Sequence, residues 1–302
     1  MMRWGGSGFF RWAAALTLGA AVVSFLTPAP CLAQVFTLSK DELVELTPTT
    51  FERFPDGRPK VPDALLERVK GLSSEEVMGG QYTGGFQVLH PGMKMVGRAF
   101  TVAFMPTRPD LDGFARSRAT KAGLTGQLNN LAVIDMLQPG DVICVDLFGK
   151  KQGGAFVDAE LFHYIMRATK GAGMVIDGSV RELEQVVTME MPLYFMHSDP
   201  STIGQVTIAG WNIPIRIGNA TVLPGDVVMG DREGVNFIPP NRVQQALNSA
   251  DTTHIHDDWT RKQFDTGKYK STDIYSSPRD PELRKEYQEY LKEQLEELKK
   301  KQ

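Results

Sequence analysis

The sequence predicts a mixed α/β fold, on two observations. Near-continuous apolar strands alternate with helical segments between Leu72 and Asp177, the pattern of a sheet covered on at least one face. Between Pro192 and Gly230 the helices give way to short strands cut by glycine and proline turns. The chain has 302 residues, is 42% hydrophobic and 23% charged, and carries a formal net charge of -3, so it can build a substantial core. That mild acidity argues against broad nucleic-acid binding, which needs a concentrated basic surface.

In order along the chain, residues 1–33 read as a secretory signal peptide. Arg3 and Arg11 form a basic start, Trp12–Leu26 is apolar, TPAP breaks the run, and Cys31-Leu32-Ala33 supplies a cut after Ala33. The run is short for a membrane span, and Pro30 disfavours a lipoprotein site at Cys31; an uncleaved anchor is the remaining alternative. The expected location is periplasmic or secreted, with no stable membrane anchor after cleavage. Residues 34–70 form a lead-in holding the turn-rich PDGRPKVP and a short helix near Ala64–Val69. Residues 71–250 form the main domain, and 251–302 a polar, helical C-terminal extension.

Within the main domain, Met95–Phe104 is a strand after the turn His90-Pro91-Gly92, and Ala115–Met136 is helical with polar interruptions. Pro139-Gly140-Asp141 turns the chain into the strand Val142–Asp146. The loop GKKQGG at 149–154 leads to a helix over Asp158–Lys170, and Met174–Asp177 is a further buried strand. Pro192–Met196, Gly204–Ile208, Ile213–Ile217, Ala220–Leu223 and Val227–Gly230 are short strands, and Arg242–Ala250 is helical. Pro281–Lys301 is an amphipathic helix with proline at its start, either laid on its own domain or offered to a partner. Cys144 sits alone in an apolar run and reads as a buried small hydrophobe; with Cys31 lost, no disulfide within the chain can form.

Two places can carry chemistry. Asp158 is a good N-cap, and the N–H groups of the turn behind it can receive a carboxylate or phosphate, although most helix starts bind only a cap or water. The run MVIDGSVRE at 174–182 ends a buried strand with an arginine and an acid. Arg181 can grip a planar carboxylate by two parallel hydrogen bonds. Glu182 offers the hard oxygen that Mg²⁺ or Mn²⁺ prefers. A surface Arg–Glu pair after a turn is the alternative. Lys150 and Lys151 either add positive charge over this place or are solvated. GKKQGG lacks the P-loop pattern. His163 reads as packed or surface, and His254 and His256 as solvated residues rather than metal ligands.

The runs VDAEL, GAGMVIDGSVRE and MPLYFMHSDPST, with HPGMKMVGRAFTV, QPGDVICVD and IPIRIGNATVLPGDVVMGDREGVNFIP, resemble the RraA-like family over residues 72–250. That family includes the 4-hydroxy-4-methyl-2-oxoglutarate aldolases. The resemblance implies a three-layer β/β/α sandwich, self-associated as a trimer or hexamer with sites near subunit interfaces. It implies a substrate loop at Ala159, Glu160, Leu161 and Phe162, a catalytic and substrate-binding Arg181, and a magnesium or manganese ion on Glu182. The expected activity is that of a class II, metal-dependent lyase on a small 2-oxo acid. The alternative is a non-catalytic ligand-binding or regulatory protein. Three departures bear on this choice: Ala159 replaces a usual glycine, Glu182 a usual aspartate, and Gln185 a common second acid. An exported chain would not meet ribonuclease E.

Overall fold

The structure, a computed structural model, describes residues 34–77, 80–123 and 128–301. The signal segment and part of the expected 115–136 helix lie outside them. The lead-in carries α1 (Lys40–Leu46) and α2 (Asp63–Lys70), followed by β1 (Gln81–Thr83), β2 (Gln87–Val88) and the long β3 (Met95–Pro106). Next come α3 (Pro109–Lys121), α4 (Asn130–Ile134), β4 (Asp141–Asp146), α5 (Ala159–Thr169), β5 (Met174–Val180) and α6 (Leu183–Val186). The second half holds β6 (Leu193–Ser198), β7 (Val206–Trp211), β8 (Ile215–Ile217), β9 (Ala220–Val222), β10 (Val227–Gly230) and β11 (Val235–Ile238). The chain finishes in α7 (Val243–Asp265), α8 (Ser271–Ile274) and α9 (Pro281–Lys301).

β3, β4, β5 and β6 are parallel neighbours, and antiparallel strands flank them in the order β1-β11-β10-β3-β4-β5-β6-β2. β7 pairs with the outer half of β3. Alternation assigns the two faces of the parallel strands. Val142, Cys144 and Val175 pack with Ile215, Ile217, Ala220 and Val222, so the β8–β9 hairpin forms a second β layer. On the opposite side α2 and α7 cover Val96, Val227 and Met229 through Leu66, Val69, Val243 and Leu247. These are the layers of a β/β/α sandwich with a helical extension. Every residue of β5 is buried, as a strand inside two layers must be. Cys144 is free and fully buried, and burial pushes its thiol well up.

Gly173 makes the turn into β5. Its φ is 137°, and a Cβ there would lie 2.5 Å from Met95 Cγ, so only glycine fits without displacement. The helix expected over 115–136 instead starts at Pro109, where proline suits the first helical position, and ends at Lys121 before α4.

The boundaries drawn at 70/71 and 250/251 differ from the packing. α2 belongs to the core, and Arg58 of the lead-in is fully buried. Its guanidinium makes two hydrogen bonds to Asp141, at 2.7 and 3.1 Å, and one to Asp56 at 2.8 Å. α7 runs unbroken through residue 250. Trp259 packs on Ile274 and Leu283 of its own chain.

Asp141 and Asp226 close two Pro-Gly-Asp turns of the same design, accepting hydrogen bonds from the Gln138 and Leu223 N–H groups. Asp141 is neutralised by Arg58. Asp226 is only 3% exposed, and its Oδ1 has no hydrogen-bond partner among the described residues. Burial pushes the Asp226 carboxyl up to about 7. A carboxyl raised on folding contributes stability that is complete below its unfolded value near 3.8 and lost as pH climbs to about 7. Asp226→Asn removes that loss. The variant is expected to match the parent near pH 4 and to gain up to about 4 kcal/mol by pH 8. Urea unfolding across that pH range checks it; a gap that does not widen with pH contradicts the assignment.

Candidate active site

Arg181 is the first residue past β5, and its backbone N–H donates to the Val157 carbonyl at 3.1 Å. That bond places it beside the start of α5. Asp158 caps that helix, its Oδ1 accepting from the Leu161 N–H at 2.9 Å. Its other oxygen takes Arg181 Nη2 at 2.5 Å. Glu182 adopts a left-handed backbone, φ 59° and ψ 39°, uncommon for a residue with a side chain. Its Oε1 meets Arg181 Nη1 at 3.0 Å, and its Oε2 accepts from the Ala159 N–H at 3.1 Å. Arg181, Asp158 and Glu182 side chains are 22%, 17% and 32% exposed, so the cluster is shallow but reachable from solvent.

The structure thus brings Arg181, Glu182 and the α5 start together, as the sequence suggests, with corrections. Phe162 faces the core at 0% exposure and offers a ligand no side chain; only its N–H is at the turn, donating to the Asp158 carbonyl. The helix start is not an open anion cradle: Glu182 holds the Ala159 N–H and Asp158 the Leu161 N–H. Gln185 is exposed. Glu160 is exposed too, and Leu161 is half-buried beside it. Lys150 stacks over the Phe148 ring at 5.8 Å, and the Ser179 hydroxyl is placed to donate to the Lys150 or Lys151 carbonyl. His163 is exposed.

A second charged group was not foreseen. Asp146 ends β4, and Asp177 sits opposite it on β5 in the parallel register, on the face under β8. Arg216 bridges them, at 3.3 and 2.9 Å, and the Gly218 N–H adds 3.1 Å to Asp177. Burial raises the Asp146 carboxyl, and Asp177 adds to the rise. The one sequence sign was that both apolar runs reach an aspartate; the arginine lies 70 positions beyond Asp146 and shows only in the fold. A cavity of about 400 Å³ beside Phe104, Asp112, Arg116 and Gln205 is also separate from Arg181.

Both histidines of the tail have partners within the chain. His254 pairs with Glu76, and His256 lies between Tyr287 and the Tyr275 carbonyl. Among the described residues, no group of three His, Cys, Asp or Glu side chains could hold a metal ion. Nor is any helix among them long and apolar enough to cross a membrane.

The family model for RraA-like proteins, described as Aldolase/RraA, matches residues 60–236. The chain belongs to the RraA-like family. The match takes in α2, nearly all of the main sheet and the Arg181 cluster, and stops before α7. Among curated RraA-like relatives is a putative 4-hydroxy-4-methyl-2-oxoglutarate aldolase of Halalkalibacterium halodurans, 30% identical over 43% of this chain and 62% of the relative. The protein DlpA of Legionella pneumophila is 26% identical over 73% of this chain and 33% of its own length. The chain therefore spans less than two thirds of the length of either relative. The RraAS2 structure of Streptomyces coelicolor, described as an unusual member of the RNase ES inhibitor RraA protein family, superposes with a TM-score of 0.58 at 25% identity. That likeness covers 68% of this chain and all of the other. A structure from Pseudomonas syringae pv. tomato, at 19% identity and TM-score 0.58, covers 74% of this chain and 95% of its own, and shares the fold. The RraA-like family includes aldolases and non-catalytic regulators, so membership alone leaves the activity open.

Proposed function

We propose that this chain is a divalent-metal-dependent lyase that cleaves a small 2-oxo carboxylic acid by retro-aldol cleavage or decarboxylation. The observation that carries the reading is Arg181, held at the end of β5 between two carboxylates and beside the start of α5. A planar guanidinium there suits a substrate carboxylate and the negative charge that grows as a carbon–carbon bond breaks.

The residues fit a lightly held ion. Magnesium is commonly bound by one or two carboxylates, with waters and substrate completing the shell. Asp158 and Glu182 supply such oxygens, and a carboxylate has about four lone-pair sites, of which these hydrogen bonds use some. Glu182, with Asp158 beside it, would hold Mg²⁺ or Mn²⁺, which acts as a Lewis acid on the keto oxygen when bound. Arg181 orients the substrate carboxylate and offsets enolate charge. Asp158 fixes Arg181 while capping α5, so the arginine keeps one pose.

The second reading, a non-catalytic ligand-binding or regulatory protein, is favoured by the engagement of both Glu182 oxygens with protein donors and by Gln185. Export after cleavage behind Ala33, and self-association as a trimer or hexamer, complete the proposal; the support is the signal-like sequence and the family. The deciding experiment is a pyruvate-release screen of the protein over branched 2-oxo acids, with and without Mn²⁺. Metal-dependent release from at least one supports the lyase. A flat result, with Mn²⁺ binding intact by calorimetry, moves the assignment to the binding protein.

A further inference from the structure

We infer that Glu182 is an internal competitor for the substrate carboxylate, latching Arg181 and the Ala159 N–H until a ligand displaces it. The inference rests on the reading of Arg181 as a carboxylate-binding residue and adds how access to it is controlled. Both terminal nitrogens of Arg181 are engaged, Nη2 by Asp158 and Nη1 by Glu182. The guanidinium keeps other N–H groups, but the donor pair formed by Nη1 and the Ala159 N–H is filled, and a ligand carboxylate can take that pair only when Glu182 leaves it.

Glu182 is the one that yields. Asp158 also caps α5 through the Leu161 N–H, so its departure would uncap an 11-residue helix. Glu182 is the more exposed of the two, 32% against 17%. Its departure frees one guanidinium nitrogen and one backbone N–H together, the same pair of donors its own carboxylate now spans. A ligand carboxylate can take their place, and the released Glu182 oxygens turn to solvent or a cation. Length is what allows the latch. An ion pair at 3.0 Å and a hydrogen bond at 3.1 Å both depend on the reach of the Glu182 side chain, and one a methylene shorter does not span the two donors.

The test is calorimetric titration of the metal-free full chain with oxalate in EDTA buffer, comparing the parent with Glu182→Asp, Glu182→Gly and Arg181→Ala. Glycine suits the left-handed backbone at this position, so that variant keeps the fold even if aspartate strains it. Glu182→Asp keeps the charge and loses the reach, and is expected to bind oxalate at least about tenfold more tightly than the parent, as is Glu182→Gly, with unchanged melting. A gain confined to Glu182→Gly assigns the effect to charge alone and overturns the latch. An unchanged Kd in both, while Arg181→Ala abolishes binding, overturns the latch and leaves the Arg181 site standing. Oxalate binding that ignores Arg181→Ala, or is absent throughout, overturns both.

Discussion

Arg58→Ala is expected to destabilise the protein by about 3–5 kcal/mol, the largest effect of any single change outside the hydrophobic core. Arg58 is completely buried and bidentate to Asp141, which is itself 0% exposed. Burial works to lower the Arg58 pKa, but the charges of Asp141 and Asp56 outweigh it and the net direction is up. Its guanidinium also lies 5.1 Å from the Phe54 ring and 5.0 Å from the Phe100 ring. Truncation leaves Asp141 charged and without its partner in a dry environment, and opens a cavity beside two aromatic rings. The double variant Arg58→Met, Asp141→Asn is expected to recover much of the loss, because the introduced amide can still accept from the Gln138 N–H while the stranded charge is gone. Chemical denaturation of Arg58→Met, Asp141→Asn and the double variant measures the coupling directly. A loss under about 1 kcal/mol for Arg58→Ala would show that water reaches Asp141 and that the lead-in is not anchored in the core.

Arg181→Lys is expected to behave in the opposite manner, costing function and almost no stability. The side chain is 22% exposed, and an ion pair at that depth is worth roughly 0–1 kcal/mol after solvent screening. Lysine keeps the charge but cannot make two parallel bonds to a carboxylate. Where the screen finds a substrate, kcat/KM is expected to fall by about 10²–10³, the usual cost of losing a donor to developing negative charge. Melting within a degree or two of the parent, together with that fall, separates a reacting group from a structural one. Equal kcat/KM in the variant would remove Arg181 from the mechanism.

The contrast between these two arginines shows what was legible in the sequence. Arg181 was visible because the signal is local: an apolar run reaches a turn, and the next residues are Arg and Glu. The Asp158 cap was legible for the same reason, as were α5, β5 and β10, whose patterns stand on their own. Arg58 was not, since an arginine inside PDGRPKVP looks like an exposed turn residue. Its burial depends on Asp141, 83 positions away. The Asp146, Asp177 and Arg216 group depends on the parallel register and on which face the β8–β9 hairpin covers. The Glu182 contact with Ala159 spans 23 positions, so a helix start that looked open is filled. Edge strands β1 and β2 are too short to show a period, and the polar composition beyond Asp251 hid the continuation of α7. Local patterns therefore marked the elements and the Arg181–Glu182 pair at the end of β5, while the charge partners came only from tertiary geometry.

The central claim is that Arg181 anchors the carboxylate of a 2-oxo acid. It is tested most directly by a crystal structure of the protein with oxalate and Mn²⁺, using the anomalous signal of manganese. The account predicts oxalate within hydrogen-bond distance of the Arg181 guanidinium and the Ala159 N–H, with Glu182 swung away from both and manganese beside it. Oxalate absent from Arg181, or seated in the cavity beside Arg116, with Glu182 still on the Ala159 N–H, would contradict it.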